Sequence, residues 1–195
     1  MTTTTHLLYL HGFRSSPQSA KARQMAAYVA QHHPGVTWWC PQLPPSPRAA
    51  MELVAQGTAA WPGGSMAVVG SSLGGFYASW VAQQRACPSV MLNPAVHPAR
   101  DLARYIGEQT SWHDPAERFF FREEYIAELQ ALQTDGAPPA APEMAIIAKG
   151  DEVLDWREMA ARYAAAQVTL LEGGEHALLC FADHLPAVSR FLRLA

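Results

Sequence analysis

Apolar and polar positions along this chain follow two rhythms, and the switch between them recurs from end to end. His6–Leu10 is a short apolar run that stops at His11-Gly12, the pattern of a buried strand leaving for a loop. Residues 19–31 then place Ala22, Met25, Ala26 and Val29 at helical spacing, and His33-Pro34-Gly35 ends them. Val36–Cys40 reads as a second strand closed by the proline-rich segment 41–47, and Arg48–Ala60 as a helix broken at Pro62-Gly63-Gly64. Met66–Val69, Ser89–Leu92, Met144–Ala148 and Val168–Leu171 predict four more strands. A helix runs from the glycine-rich segment 70–75 through Gln84, and a last one covers roughly residues 185–194.

Short apolar strands alternating with amphipathic helices predict an α/β fold: a mostly parallel sheet of six or seven strands with helices on both faces. Residues 94–142 break the alternation. They carry helical pieces and no clear strand, and they close in the loose segment 134–142, rich in proline and alanine. The expectation is a single domain over 1–195, with a small cap-like helical insertion at about 94–142.

Composition narrows the class. Of 195 residues 49% are hydrophobic and only 16% charged, enough apolar material for a real core and too much for disorder. The net charge of -3 leaves no basic surplus for nucleic acid. No apolar run is long enough to span a bilayer. The start, Met1-Thr2-Thr3-Thr4-Thr5-His6, lacks the charged and apolar regions of a signal peptide. Cys40, Cys87 and Cys180 are odd in number, widely spaced and without a Cys-x-x-Cys pair, which points to a reducing, cytoplasmic setting.

Gly70-Ser71-Ser72-Leu73-Gly74 fits G-x-S-x-G between a predicted strand and a predicted helix, the context of a nucleophile elbow. Such a turn strains its central serine and needs small residues two positions either side, where backbones pass closely. Ser72 has glycine at both; Ser71 does not. A phosphate-binding loop is the weaker reading, because neither G-K-[ST] nor G-x-G-x-x-G is present.

A serine nucleophile on this kind of sheet takes an acid and then a histidine in chain order. Asp151 follows the strand ending at Ala148, and His176 follows the strand ending at Leu171. Asp155 is a rival acid, but Asp155-Trp156-Arg157-Glu158 reads as a helix N-cap with a capping-box glutamate. Of the eight histidines, His32, His33 and His184 fall at helix ends. His97 and His113 lie in the insertion, where contact with substrate is conceivable and a base role is not indicated. No metal-ligand spacing is present, and no cofactor is called for. The backbone N–H of Leu73, after the serine, and of Phe13, in His11-Gly12-Phe13, are the expected oxyanion donors. Phe13, Trp112, Phe119, Phe120, Phe121 and Tyr125 are the candidate pocket walls, although such aromatics more often serve as core.

With these segments placed, the chain resembles an alpha/beta hydrolase, and more narrowly the small bacterial YqiA-type esterases. The likeness is carried by residues 8–17 with Ser19-Ala20-Lys21-Ala22, then residues 70–78. Residues 93–96, residues 150–155 and Gly173-Gly174 with His176 continue it. The resemblance implies hydrolysis of a small-molecule ester or thioester with Ser72, Asp151 and His176 as the triad. Arg14 stands where members often carry asparagine, and Glu175-His176-Ala177 departs from their usual Gly-Asp-His pattern. Alternatives are an acyl-CoA thioesterase, a peptidase, or a non-catalytic binder on the same fold. Scattered Arg14, Arg100 and Arg104 would have to converge to serve CoA phosphates.

Overall fold

The computed structural model describes residues 2–114, 116–134 and 138–195. Residues 135–137, part of the loose segment expected at 134–142, lie outside the described residues, as do Met1 and Pro115.

Six parallel strands form the main sheet: β1 (His6–Leu10), β2 (Thr37–Trp39), β3 (Met66–Ser71), β4 (Ser89–Leu92), β7 (Glu143–Ala148) and β8 (Gln167–Leu171). Their order across the sheet is β2-β1-β3-β4-β7-β8. The chain moves from β1 outward to β2 and then returns to the other side of β1 to begin β3. That reversal opens a crevice beyond the carboxyl ends of β1 and β3, the place where sheets of this kind bind ligands.

The apolar runs show why both faces are covered. Leu8 and Leu10 of β1 and Val68 of β3 pack on one face with α2 (Pro47–Gly57) and α3 (Leu73–Arg85). Leu7, Tyr9, Ala67 and Val69 point the other way, onto α1 (Ala20–His32) and α7 (Phe181–Leu192). A third cluster joins Met91, Ala145 and Ile147 to Met159 of α6 (Trp156–Arg162). Each fully buried leucine in these layers contributes about 1.5–3 kcal/mol. No helix among the described residues is long and apolar enough to cross a membrane.

The insertion differs from expectation. It holds a helix α4 (Pro98–Leu102), a short 3₁₀ turn at Ala103–Tyr105 and a helix α5 (Glu124–Ala131), but also two strands. β5 (Gly107–Thr110) and β6 (Arg118–Phe121) pair antiparallel as a separate hairpin. The reading of 94–142 as purely helical is therefore corrected. Gly-Glu-Gln-Thr in β5 has no apolar alternation, and the three consecutive phenylalanines of β6 hide its period of two.

The last helix begins at Phe181, four residues before its sequence signal, and runs through Pro186. Burial of Phe181, Leu185 and Val188 on the sheet outweighs the one hydrogen bond that proline removes.

Candidate active site

Ser72 stands between the last residue of β3 and the first of α3, with φ 56 and ψ -122. That backbone conformation costs on the order of 1–3 kcal/mol for a non-glycine residue. The surroundings hold it there. Ser72 N–H donates to the Leu92 carbonyl at 3.0 Å, and its own carbonyl accepts from Gly75 N–H at 2.9 Å and Ala95 N–H at 3.0 Å. The neighbouring glycines are steric requirements. A Cβ on Gly70 would collide with the Gly74 carbonyl, and one on Gly74 would collide with the Leu10 carbonyl.

The structure brings Ser72, Asp151 and His176 together. His176 Nε2 lies 3.0 Å from Ser72 Oγ, and His176 Nδ1 lies 2.7 Å from Asp151 Oδ2. Asp151 accepts only, so the imidazole proton sits on Nδ1 and leaves a lone pair on Nε2 facing the serine. The Asp151 side chain is fully buried, and its Oδ1 accepts from the N–H groups of Val153 and Leu154, both at 2.8 Å.

Asp155 does the structural work expected of it, accepting from Arg157 N–H at 2.9 Å as the N-cap of α6. Glu158, however, closes no capping box. Its two carboxylate oxygens pair with Arg100 at 2.8 and 2.7 Å. This takes Arg100 out of any convergence with Arg14 and Arg104, which do share one cavity wall with Ser72.

The loop carrying His176 is pinned from three sides. Asn93 Nδ2 donates to the carbonyls of Glu175 and His176 at 3.1 and 3.3 Å, while its Oδ1 accepts from Ala148 N–H at 2.8 Å. Glu152 Oε2 accepts from His176 N–H at 3.0 Å. Lys21 Nζ donates to the Ala177 carbonyl at 2.6 Å. Burial brings the Lys21 ammonium down to about 8, against the opposing pull of Asp151 and Glu175. The roles of Asn93, Glu152 and Lys21 have no periodic signature. All three lie inside segments that carry the family resemblance, which assigns none of them a role.

The loop after β1 faces the serine. A Cβ on Gly12 would meet Ser72 Cβ at 3.1 Å, so this glycine lets the two loops touch. His11 accepts from Leu43 N–H at 3.0 Å through Nε2 and donates to the Gly12 carbonyl at 3.0 Å through Nδ1. Burial, with the nearby charge of His113 adding to it, lowers this imidazole to about 4 despite the Gly12 carbonyl. Leu73 opens α3, so its N–H lacks an intrahelical partner. Phe13 N–H donates to no protein acceptor among the described residues.

Arg14, at φ 58, ties this loop to the β5–β6 hairpin. Its Nε donates to the Thr110 carbonyl at 2.7 Å, its carbonyl accepts from Trp112 N–H at 2.8 Å, and its guanidinium lies 4.3 Å from the Trp112 ring centre.

The aromatic candidates divide. Phe13 and Trp112 line the 410 Å³ cavity that holds Ser72 and His176, and Phe119 lines a neighbouring one. Phe120, Phe121 and Tyr125 are corrections. Side chains alternate along a strand, so Phe120 points to solvent at 58% exposure. Phe121 is buried and packs edge-on against Phe13 and Tyr125 at centroid distances of 5.2 and 5.5 Å. Tyr105, Leu102 and Leu154 complete the wall instead, and sequence periodicity had singled out none of them.

No group of three His, Cys, Asp or Glu among the described residues is arranged to hold a metal. The thiols of Cys40 and Cys87 are pushed up to about 12 by burial, which keeps them protonated and non-nucleophilic.

Over residues 6–193 the sequence matches the family described as Uncharacterised protein family (UPF0227). The chain belongs to UPF0227. Solved structures with the same fold include alpha/beta hydrolase domain-containing protein 10 from mouse. It aligns with TM-score 0.73 and 16% identity over 98% of this chain and 91% of that one. Est1E from Butyrivibrio proteoclasticus with ferulic acid bound gives TM-score 0.72 and 13% identity, covering 98% and 87%. A structure from the metagenome-derived lipolytic enzymes LipS and LipT gives 0.71 and 17%, covering 98% and 95%. At these identities the likeness is one of fold, and the fold of this UPF0227 member is that of the alpha/beta hydrolases.

Proposed function

We propose that this chain is a serine hydrolase that cleaves small-molecule carboxylic esters through an acyl-enzyme in the cytoplasm. The carrying observation is the continuous relay from Ser72 Oγ to His176 at 3.0 Å and from His176 to Asp151 at 2.7 Å. It sits at the crevice where a parallel sheet forms its sites.

In the first step Ser72 Oγ attacks the acyl carbon, its proton passes to His176 Nε2, and the carbonyl electron pair moves onto the carbonyl oxygen. Phe13 N–H and Leu73 N–H take that oxyanion, and each donor lowers the barrier by about 3 kcal/mol. Asp151 holds the imidazole tautomer and stabilises the imidazolium. The carbonyl then re-forms, and the bond to the alcohol oxygen breaks with its electron pair. That oxygen takes the proton from His176. Water repeats the sequence on the acyl-enzyme, giving its proton to His176, and Ser72 leaves as a free hydroxyl with release of the acid.

Replacing Ser72 by alanine is expected to abolish hydrolysis of p-nitrophenyl acetate and butyrate to within about 10³–10⁴-fold of the water rate. Labelling by a fluorophosphonate probe should vanish with it. Full activity in purified Ser72→Ala protein rules out the assignment.

A further inference from the structure

The site is flanked by a second cavity that the relay does not touch. It measures about 490 Å³ and lies between the loop after β1, the segment 42–45, helix α2 and the hairpin. Leu43, Pro44, Pro45, Leu53, Tyr77 and Phe119 supply its apolar surface, with Gln42, Ser111 and Glu117 among its polar groups. Its size and mixed lining are those of a small-molecule site.

Phe13, Arg14 and Leu73 belong to the wall of this cavity and also to that of the 410 Å³ cavity containing Ser72. The residues whose N–H groups would receive the oxyanion thus form the partition between the two spaces. A carbonyl oxygen held at that partition leaves the acyl carbon with two substituents that must diverge. Chemistry decides which goes where, because the leaving oxygen has to reach His176 Nε2 to collect its proton. His176 lines the 410 Å³ cavity and also a smaller hollow of about 270 Å³ beside Lys21 and His113. It does not line the 490 Å³ cavity.

From this we infer that the 490 Å³ cavity is the acyl-chain subsite, and that the preferred substrates are esters of medium-length apolar acids. The alcohol portion lies on the His176 side. The inference rests on the ester hydrolase reading above. Leu53 is the residue through which to test it. It is 36% exposed on α2, so a larger or charged side chain there fits without disturbing the core.

Two series of esters separate the subsites: p-nitrophenyl acetate, butyrate and octanoate vary the acid, and acetates of methyl, butyl and benzyl alcohol vary the alcohol. Each buried methylene is worth about fourfold in kcat/KM. In the parent protein, octanoate should therefore be preferred over acetate. Leu53→Trp, which narrows the cavity, and Leu53→Arg, which places a charge in it, should each lower the octanoate-to-acetate ratio by at least about tenfold. The ratio along the alcohol series should stay unmoved. An acyl ratio unchanged in both variants, or a change confined to the alcohol series, overturns the subsite assignment while Ser72-dependent hydrolysis stands. A parent protein whose ester hydrolysis does not depend on Ser72 overturns the hydrolase reading, and this inference with it.

Discussion

Asn93 is a short side chain that ties three segments of this site together. One amide spans the exit of β4, the end of β7 and the loop of His176, at a backbone φ of 41 that asparagine tolerates better than most residues. Asn93→Asp keeps the size and the acceptor for Ala148 N–H. It loses both donations and sets a carboxylate against the carbonyls of Glu175 and His176. A base displaced by about 1 Å loses on the order of 10²-fold in rate. The expected result is a fall in kcat of about that size with KM little changed and a normal far-UV circular dichroism spectrum. Unaltered kcat would mean that the loop holds itself. Ser72, Asp151 and His176 were legible in the sequence because each follows an apolar run, and a strand exit is where reactive groups gather. Asn93 was not legible in this way. A residue that acts through two carbonyls leaves no periodic pattern, and the resemblance carried by residues 93–96 assigns Asn93 no role.

Among the elements, the hairpin β5–β6 has the clearest consequence for chemistry. Arg14 clamps it to the loop of Phe13 by two hydrogen bonds and a stacked Trp112, while the Phe13 ring meets Phe119 and Phe121 edge-on at 5.9 and 5.2 Å. The hairpin therefore braces the loop that carries Phe13. Arg14→Ala is expected to lower kcat about tenfold, the equivalent of about 1.4 kcal/mol in the barrier, with little change in KM. Arg14→Lys should not rescue, because a lysine cannot donate through a planar fork while stacking on an indole. Steady-state kinetics, with the affinity for a boronate transition-state mimic measured alongside, check both variants. Wild-type kcat and boronate affinity in Arg14→Ala would remove the clamp from the mechanism. The six sheet strands were legible because burial on both faces makes them continuous apolar runs. The hairpin was not, since Gly-Glu-Gln-Thr lacks apolar alternation and the consecutive phenylalanines of β6 mask its period of two.

For the whole molecule, the buried His11 couples stability to pH. Its folded-state value of about 4 lies below the ordinary 6.5, so the native state prefers the neutral ring. The associated stability is fully present above pH 6.5, drains away as pH falls toward 4, and amounts to about 3 kcal/mol over that window. Urea midpoints for the parent and for His11→Gln should therefore converge as pH drops from 7 to 4.5, the parent losing more. Parallel curves would show that His11 is not the coupling group. The site itself joins residues 104 positions apart, Ser72 just beyond a central strand and His176 beyond an edge strand. Its assembly depends on something the short motif around the serine omits. Ser72 borrows a carbonyl from Leu92 and an N–H from Ala95, both at the exit of the adjacent strand. For a protein engineer, the transferable unit is consequently two successive strand exits, residues 70–75 together with 92–95. A transplant of the first alone would carry the strained serine into a new sheet and leave behind the bonds that keep it strained.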